Sequence, residues 1–473
     1  MGAGGNDDML FTVTVSKTEI VAAALPLQGH WLPLSNLDLL LPPVDVGVLF
    51  CYNKKQIISS SLSNTSFSSM VGALKKALAQ VLVYYYAFAG EVVANTVGEP
   101  EMLCNNRGVD FFEAFADIEL KHLNLYNPDE AIEAKLVPKK KAGVLAVQAT
   151  ELKCGSLVVG CSFDHRIADA YSMNMFLVSW AETAQSKPIS MLPCFRKSLL
   201  IPRRPGYVDP CLNNLYVTIS SLAPPKEPMD QDSGDQLMSR IYYVKSDDLN
   251  RLQSLASSSG SKRTKLESFS AFLWQMIAKH AETHNDGRKL ITSKMGIVVD
   301  GRNRLSEDED VDKAKLMGAY FGNVLSIPYG SKRVEELAEN PLCWVAEEVH
   351  HFLETAVTKE HFLGLVDWVE ANRPEPALAK IYCNENHGDP AFVVSSGQRF
   401  PVKKVNFGWG SPIFGSYHFP WGGTSGYVMP MPSPVREGDW LVYLHLFGKQ
   451  LEFIENEAAS LFRPLTYDYL ISA

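Results

Sequence analysis

Prolines are concentrated near the middle of this chain. Eight of the 27 prolines among the 473 residues lie between positions 186 and 236. Proline has no backbone N–H and a fixed φ, so it is excluded from helix interiors and from central strands. The charged, turn-forming run PPKEPMDQDSGDQ lies in the same stretch. The sequence therefore predicts a crossover or linker at 188–236, between an N-terminal domain of residues 1–187 and a C-terminal domain of residues 237–473.

The overall composition restricts the class of protein. Hydrophobic residues make up 46% and charged residues 21% of the sequence, which is typical of a globular chain and excludes a disordered protein or a coiled coil. Lys and Arg number 44 against 53 Asp and Glu, so the net charge of −9 provides no basic footprint for nucleic acid. No apolar run approaches the roughly 18 residues that a membrane span requires. We therefore expect no nucleic-acid partner and no membrane partner.

The N-terminal segment and the cysteines indicate a compartment. The segment MGAGGNDDMLF carries acidic residues where a secretion signal needs basic and apolar ones. The eight cysteines are scattered without a CxxC pair, so we expect reduced thiols. No HExxH motif or His/Cys cluster predicts a metal site. These features together predict a cytoplasmic protein without a metal.

Strand-like and helix-like stretches alternate on both sides of the proline-rich stretch. Short apolar runs predict strands, and longer segments with apolar residues at helical spacing predict helices. This alternation predicts two α/β domains, each with a sheet flanked by helices. The predicted strands include 47–52, 144–150, 156–163, 240–244 and 294–299, and the predicted helices include 66–85, 169–185, 247–258, 268–284 and 334–358.

The stretch GCSFDHRIAD at 160–169 contains a candidate catalytic pair. An apolar strand ends in His165, and Asp169 follows four residues later. Polar groups at the carboxyl end of a strand lie where α/β sheets usually form their sites, and a histidine suits a general base near neutral pH. The alternative is a surface-loop histidine followed by an aspartate that caps the next helix. The capping role of Asp169 is compatible with a catalytic role for His165.

A second motif, NFGWGSP at 406–412, supports the catalytic interpretation of the first motif, HxxxD at 165–169. Two glycines around an aromatic residue predict a tight backbone path. With the HxxxD stretch at this separation, the chain resembles the plant BAHD acyltransferase family. The resemblance extends over the whole chain through LSNLD at 34–38 with LP at 41–42, YYYAFAG at 84–90, CN at 104–105 with GV at 108–109, DGRNR at 300–304 and YFGN at 320–323.

This resemblance implies a fold and a mechanism. The family has two chloramphenicol-acetyltransferase-like α/β domains, each a mixed sheet flanked by helices, with a channel between them that admits acyl-CoA and the acceptor from opposite faces. His165 would be the general base, and Asp169 would be a structural residue paired with Arg302 or Arg304. The chain would bind no cofactor permanently and would use acyl-CoA as a co-substrate. A monomer is the family expectation.

The second motif would shape the site rather than react. By the resemblance, this role belongs to Asn406, Gly408, Trp409 and Gly410. The family usually has Asp where this chain has Asn406, and Gly where it has Ala170. Asn retains hydrogen-bonding oxygen but carries no charge. We expect both changes to be tolerated.

The substrate contacts are less constrained by the sequence. Arg263, Thr264 and Lys265 form a basic, hydroxyl-bearing turn before a predicted helix, which suits a CoA phosphate, although a solvated loop is the equal alternative. Candidate residues of the acceptor pocket, with core or channel wall as the alternative, are His30, Trp31, His418 and Trp421.

Three functions remain open at this level. Segments 364–376 and 415–423 resemble coniferyl alcohol acyltransferases, and Gly397 replaces the Trp of the Ser-Trp-x-Arg segment common in shikimate transferases. These features favour transfer of an acetyl or other short acyl group from CoA to a phenylpropanoid alcohol such as coniferyl alcohol. A hydroxycinnamoyl-CoA donor with shikimate, quinate, another alcohol or an amine is the alternative. A non-catalytic CoA- or ligand-binding member is a third, motivated by Asn406 alone.

Overall fold

The structure is a computed structural model that describes residues 11–59, 66–222, 235–258, 261–283, 291–307, 310–383, 389–419 and 423–472. The strands are β1 (Val13–Val21), β2 (His30–Pro33), β3 (Asp45–Tyr52), β4 (Glu91–Ala94), β5 (Pro100–Cys104), β6 (Val109–Ala116), β7 (Leu145–Leu152), β8 (Leu157–Asp164), β9 (Tyr216–Thr218), β10 (Leu237–Val244), β11 (Thr292–Ile297), β12 (Val299–Asp300), β13 (Leu325–Ser326), β14 (Tyr329–Arg333), β15 (Ala377–Ala379), β16 (Ala391–Val394), β17 (Phe414–His418), β18 (Gly426–Pro432), β19 (Trp440–Phe447) and β20 (Arg463–Pro464).

Helices connect these strands in both halves of the chain. They are α1 (Lys54–Ser59), α2 (Phe67–Val81), α3 (Pro128–Ala131), α4 (Ala170–Ala184), α5 (Ser246–Ala256), α6 (Lys265–Thr283), α7 (Arg302–Leu305), α8 (Val311–Gly318), α9 (Val334–Glu339), α10 (Leu342–Glu354), α11 (Lys359–Asn372), α12 (Gly448–Glu457) and α13 (Tyr467–Ile471).

Two mixed sheets form the centres of the two halves. The first has the strand order β1-β6-β7-β8-β3-β17, in which β6 and β7 are parallel. The second has the order β14-β11-β16-β18-β19-β10-β20, in which β16 is parallel to both β11 and β18. Helices pack on both sheets, so the prediction of an α/β fold with mixed sheets flanked by helices is confirmed.

Aromatic residues fix the helices of the first half against its sheet. Trp180 of α4 is fully buried and donates from Nε1 to the Leu74 carbonyl of α2 at 3.0 Å. Phe88 lies between Phe176 of α4 and Phe163 of β8, with ring centroids 4.7 and 6.5 Å away. Burial of such large side chains stabilises the helix-on-sheet layer and fixes where α4 begins.

The C-terminal half contributes a strand to the N-terminal sheet. β17 pairs antiparallel with β3, with Phe414 opposite Cys51 and His418 opposite Gly47. This pairing covers a β3 edge that would otherwise expose its backbone hydrogen-bonding groups. The sequence predicts one domain of residues 1–187 and another of residues 237–473. β17 lies within the second range but pairs with the sheet formed by the first.

The crossover is packed as far as residue 222. Leu200, Leu212 and Tyr216 are buried in a cluster with residues of the C-terminal half. β9 pairs with β15, so the crossover is also joined to that half by a short ladder. This part of the predicted linker is therefore a structured element, whereas the prolines at 224, 225 and 228 lie outside the described residues.

The predicted single helix at 334–358 is two helices. α9 ends at Glu339, and α10 begins at Leu342 with Pro341 as its N-cap. Proline has no N–H to donate to the preceding turn and disfavours the α conformation in the residue before it. Its position between two apolar periodic segments therefore divides them.

No helix among the described residues combines the length and apolar character that crossing a bilayer requires.

The pairing of β17 with the N-terminal sheet predicts that the two halves fold together. A fragment of residues 1–222 lacks β17, so its β3 edge stays unpaired and the fragment should aggregate or unfold without a cooperative transition. Co-expression with residues 223–473 should restore cooperative thermal unfolding, measured by circular dichroism. A lone fragment that unfolds as cooperatively as the two-fragment complex would contradict this expectation.

Candidate active site

The end of β8 and the start of α4 position the HxxxD residues. Asp164 ends β8 and accepts from the backbone N–H of Arg166 at 3.0 Å, which closes the turn after the strand. The His165 N–H donates to the Val44 carbonyl at 3.0 Å. Asp169 is the N-cap of α4 and accepts from the Ser172 N–H at 2.8 Å. Local capping and turn chemistry therefore determine where the His165 side chain emerges.

His165 lines a cavity of about 730 Å³ between the two halves of the chain. The N-terminal half provides residues around the end of β8 and α4, and the C-terminal half provides the facing wall. Most of the wall is apolar or aromatic, with Phe163, Tyr171, Tyr216, Tyr382, Phe400, Tyr417, Phe419 and Tyr427. Besides His165, polar side chains occur at separated points of the wall, namely Asp169, Asn174, Ser179, Ser190, Asp300, Asn303, Ser395, Ser396, Arg399 and Lys404.

The His165 imidazole is held in an apolar setting. The Phe419 ring lies edge-on to it at 6.0 Å between centroids. Its Nδ1 atom is buried and has no hydrogen-bond partner among the described residues. Burial lowers the pKa of His165, and the backbone of His165, Asp169, Asp164 and Asn323 oppose this effect only in part. The neutral imidazole, which can accept a proton, is therefore the favoured form at neutral pH.

Asp169 forms a bidentate ion pair with Arg302. Arg302 Nη1 donates to Asp169 Oδ2 at 2.8 Å, and Nη2 donates to Oδ1 at 3.1 Å. Both side chains are almost fully buried. Despite burial, the Asp169 and Asp300 carboxylates raise the pKa of Arg302. Both oxygens of the Asp169 carboxylate are therefore engaged by Arg302.

Arg304 does not belong to this site. It donates to Glu307 at 2.7 Å, and both side chains are exposed. Arg302 begins α7, and a residue two positions later on a helix points away from it. Of the two arginines that the sequence offered as partners for Asp169, the structure places only Arg302 beside it.

The NFGWG turn lies immediately before β17. Asn406 Oδ1 accepts from the N–H groups of Gly408 at 2.9 Å and Gly410 at 3.1 Å. These glycines have φ values of +112° and +99°, a region that favours glycine. Trp409 is buried and lies edge-on to Tyr52 at 6.1 Å. The turn needs an oxygen acceptor at position 406 and uses no charge there, so Asn fulfils the role.

Two of the predicted CoA residues, Arg263 and Thr264, make local structural contacts. Arg263 is buried and forms an ion pair with Glu347. Thr264 precedes α6, accepts from the Glu267 N–H at 3.1 Å and donates its own N–H to the Glu267 carboxylate at 2.8 Å. This is a capping box. Neither these residues nor Lys265 lines the His165 cavity, so a CoA contact for them stays a prediction.

Of the predicted acceptor-pocket residues, His30, Trp31 and His418 do not line the cavity. His30 and Trp31 lie on β2, an edge strand of a separate three-stranded sheet, and half of the Trp31 surface is exposed. His418 is fully buried on β17, where its Nδ1 is 3.5 Å from Glu133 Oε1 and burial lowers its pKa to about 3. Trp421 lies outside the described residues.

Strand alternation explains why His418 does not line the cavity. Successive side chains of a strand point to opposite faces, and the neighbours of His418 on this stretch, Tyr417 and Phe419, both line the cavity. The sequence shows the alternation but not which face meets the cavity. Tyr216, Tyr382 and Arg399 were also missed, and only the Ser-x-x-Arg spacing at 396–399 gave a signal for one of them.

Comparison with known proteins identifies the family. Residues 11–461 match the model of the transferase family, a range that includes the cavity and every strand of the two sheets except β20. The chain belongs to the BAHD acyltransferases. It is therefore an acyl-CoA-dependent acyltransferase of plant metabolism. None of the described residues forms a cluster of His, Cys, Asp or Glu that could hold a metal ion.

Curated BAHD relatives cover most of the chain at modest identity. Omega-hydroxypalmitate O-feruloyl transferase of Arabidopsis thaliana is 25% identical over 80% of this chain and 78% of its own length. Shikimate O-hydroxycinnamoyltransferase of Nicotiana tabacum is 24% identical over 92% of this chain and 96% of its own length. The acceptors in these names differ, so the similarity leaves the substrate open.

Solved structures share the fold. Vinorine synthase superposes with a TM-score of 0.69 at 19% identity and covers 95% of this chain and 98% of its own. F. graminearum TRI101 in complex with coenzyme A and T-2 mycotoxin superposes with a TM-score of 0.70 at 14% identity, over 91% of this chain and 98% of its own.

Burial of the Asp169–Arg302 pair predicts a larger loss of stability when this pair is broken than when the exposed Arg304–Glu307 pair is broken. Asp169→Asn retains the N-cap of α4 but removes the negative charge that compensates the buried Arg302. The free energy of unfolding, measured in urea, should therefore fall by about 3–5 kcal/mol. The control Arg304→Gln removes only an exposed pair, which is worth about 0–1 kcal/mol. Equal losses in the two variants would contradict the structural role of Asp169.

Proposed function

We propose that this BAHD member transfers an acyl group from a CoA thioester to the hydroxyl of a phenylpropanoid alcohol such as coniferyl alcohol, with His165 as the general base. The observation that carries this proposal is the position of a neutral, desolvated imidazole on the wall of an aromatic-lined cavity between the two halves. Such a cavity excludes water, which would otherwise compete for the acyl group.

The proposed reaction is a direct transfer. The imidazole of His165 removes the proton of the acceptor hydroxyl while the oxygen attacks the thioester carbonyl carbon. The tetrahedral intermediate collapses, the carbon–sulfur bond breaks, and the CoA thiolate recovers the proton from the imidazolium. A positioned general base contributes about 10²–10⁴ to the rate. Asp169 is excluded from these steps because its carboxylate is occupied by Arg302.

The cavity wall supports a flat, largely apolar acceptor. Phe400 and Tyr417 pack against each other with ring centroids 5.2 Å apart, and Phe419 packs on Tyr427 at 5.0 Å. Rings arranged in this way suit an aromatic substrate that stacks or packs edge-on. Acetyl or another short acyl group is the favoured donor, on the resemblance of segments 364–376 and 415–423 to coniferyl alcohol acyltransferases.

A second candidate is supported by a basic side chain. Arg399 is exposed and lines the cavity, where its guanidinium could pair with the carboxylate of shikimate or quinate. Among the relatives, the Nicotiana tabacum protein is by its name a shikimate O-hydroxycinnamoyltransferase. On this reading the donor is a hydroxycinnamoyl-CoA. Gly397 itself offers little room, because a Cβ there would come within 2.6 Å of Met429 Sδ and 2.8 Å of the Pro430 carbonyl oxygen.

A product scan by mass spectrometry separates the candidates. The purified protein would be incubated with acetyl-, malonyl-, p-coumaroyl- or benzoyl-CoA, each with coniferyl alcohol, shikimate, quinate or tyramine. We expect an acetylated monolignol that His165→Ala lowers at least about 10²-fold. A hydroxycinnamoyl ester or amide would move the assignment to the second candidate. Binding of CoA without any product would favour a non-catalytic member.

The environment of His165 predicts the pH dependence of the reaction. Burial lowers the pKa of this base, so its neutral form persists to a lower pH than that of an exposed histidine. The value of kcat/KM should therefore rise with pH through a midpoint below the ordinary histidine value and then stay level. A midpoint above that value, measured with the best substrate pair from the scan, would contradict this assignment.

Arg399 distinguishes the acceptor classes. Arg399→Gln should raise KM for an acidic acceptor about tenfold or more, because a charge-assisted pair is lost, and should leave KM for a neutral alcohol within about twofold. The matched control is Arg251→Gln, which changes an exposed arginine of α5 that pairs with Asp248. Equal responses to the two acceptors would exclude Arg399 from carboxylate recognition.

A further inference from the structure

Two buried carboxylates hold the segment that follows Tyr320 and Phe321. Asp169 Oδ2 accepts from the Val324 N–H at 3.2 Å. Asp38 Oδ1 accepts from the Asn323 N–H at 2.7 Å. Consecutive backbone groups of one segment are therefore attached to two different acids. Asp169 is paired with Arg302, and Asp38 also has a cationic partner.

Asp38 connects three distant parts of the chain. Its side chain is buried, and its Oδ2 atom accepts from the Ser35 N–H at 2.8 Å, the Ser35 hydroxyl at 2.7 Å and Lys197 Nζ at 3.0 Å. Lys197 belongs to the packed part of the crossover. Burial opposes its charge, but Asp38 and Tyr320 raise the pKa of Lys197 overall. Lys197 is therefore charged, and its contact fixes the carboxylate that holds Asn323.

Asn323 joins this pair to His165. Its Nδ2 atom donates to Asp38 Oδ1 at 3.1 Å and to the His165 carbonyl at 2.9 Å. Its Oδ1 atom is buried and has no partner among the described residues, and the same is true of His165 Nδ1. An unpaired acceptor and an unpaired ring nitrogen thus belong to two residues that are already hydrogen-bonded. Buried polar atoms without partners are rare and call for a reason.

We propose that Asn323, held by the Asp38–Lys197 pair, is a positioning residue for His165: its amide nitrogen fixes the His165 carbonyl, and its Oδ1 atom is the acceptor for Nδ1–H, a contact that strengthens when the imidazole takes a second proton on Nε2. This inference rests on the proposed role of His165 as the base. With the proton on Nδ1 in the resting state, Nε2 is the nitrogen that takes the proton of the acceptor hydroxyl. The second nitrogen of a catalytic histidine is commonly oriented in this way.

The electrostatics of the site agree with this geometry. The Asn323 side chain raises the pKa of His165, against the larger lowering by burial. An acceptor for Nδ1–H stabilises the imidazolium more than the neutral ring. Asn323 therefore assists proton uptake by the desolvated imidazole without adding a charge beside it.

The test measures the protonation of His165 without a substrate. Diethyl pyrocarbonate modifies the neutral imidazole, so the rate of modification of the His165 peptide, followed by mass spectrometry across pH, reports its pKa. For Asn323→Ala we expect the midpoint to move to lower pH. Where the scan has provided a substrate pair, kcat should fall about 10²-fold with KM for acyl-CoA within about twofold. The control Asn372→Ala removes an amide that donates only to the Trp368 carbonyl in α11.

A double variant that exchanges Asp38 and Asn323 is expected to shift the pKa of His165 in the opposite direction. Asp38→Asn with Asn323→Asp keeps the number of charges and moves the carboxylate next to His165, so the midpoint should move to higher pH. Shifts in opposite directions support the proposal, even if no substrate is found and the acyl-transfer assignment fails. If the variants lose cooperative unfolding, or if they fold and keep the wild-type pH midpoint of His165 modification, Asn323 has a purely structural role and the proposal is overturned.

Discussion

The ion pair between Asp169 and Arg302 is the contact on which the rest of the active site depends. It joins the N-cap of α4, four residues after His165, to the first residue of α7 in the C-terminal half. The pair is buried, so its two charges compensate each other in a medium that screens them weakly. The cavity lies between the same two halves. Its shape therefore depends on a bidentate contact that allows little variation in their separation.

The same arrangement gives the two named residues of the HxxxD motif, His165 and Asp169, different surroundings. Asp169 is saturated by Arg302, Ser172 and Val324, and the imidazole of His165 faces apolar and aromatic neighbours. A carboxylate next to the imidazole would hold it in the charged form, which cannot act as a base. Desolvation has the opposite effect and keeps the ring neutral. The motif thus places His165 and the ion-paired Asp169 close together, and burial lowers the pKa of His165 more than the Asp169 charge raises it.

The pairing of β17 with the N-terminal sheet and the packed crossover explain why the second motif lies so far from the first in the sequence. The NFGWG turn directs the chain into β17, and β17 completes the N-terminal sheet beside β3. Tyr417 and the following Phe419 thereby reach the cavity that begins at the end of β8. Asn406 retains the one property that this turn requires, which is an oxygen acceptor for two N–H groups. The family pattern and this departure from it therefore satisfy the same local geometry.

The family, the α/β class, several helices and strands such as β8 and α4, and the capping role of Asp169 could be predicted from the sequence, because these depend on periodicity, capping and short motifs. Packing in three dimensions determines that Arg302 and not Arg304 meets Asp169, that Arg263 pairs with Glu347, and that Tyr417 and Phe419 rather than His418 line the cavity. These outcomes depend on which face of an element meets which neighbour. That choice follows from packing between residues far apart in the chain, 84 positions for Arg263 and Glu347 and 133 for Asp169 and Arg302, which local sequence does not encode.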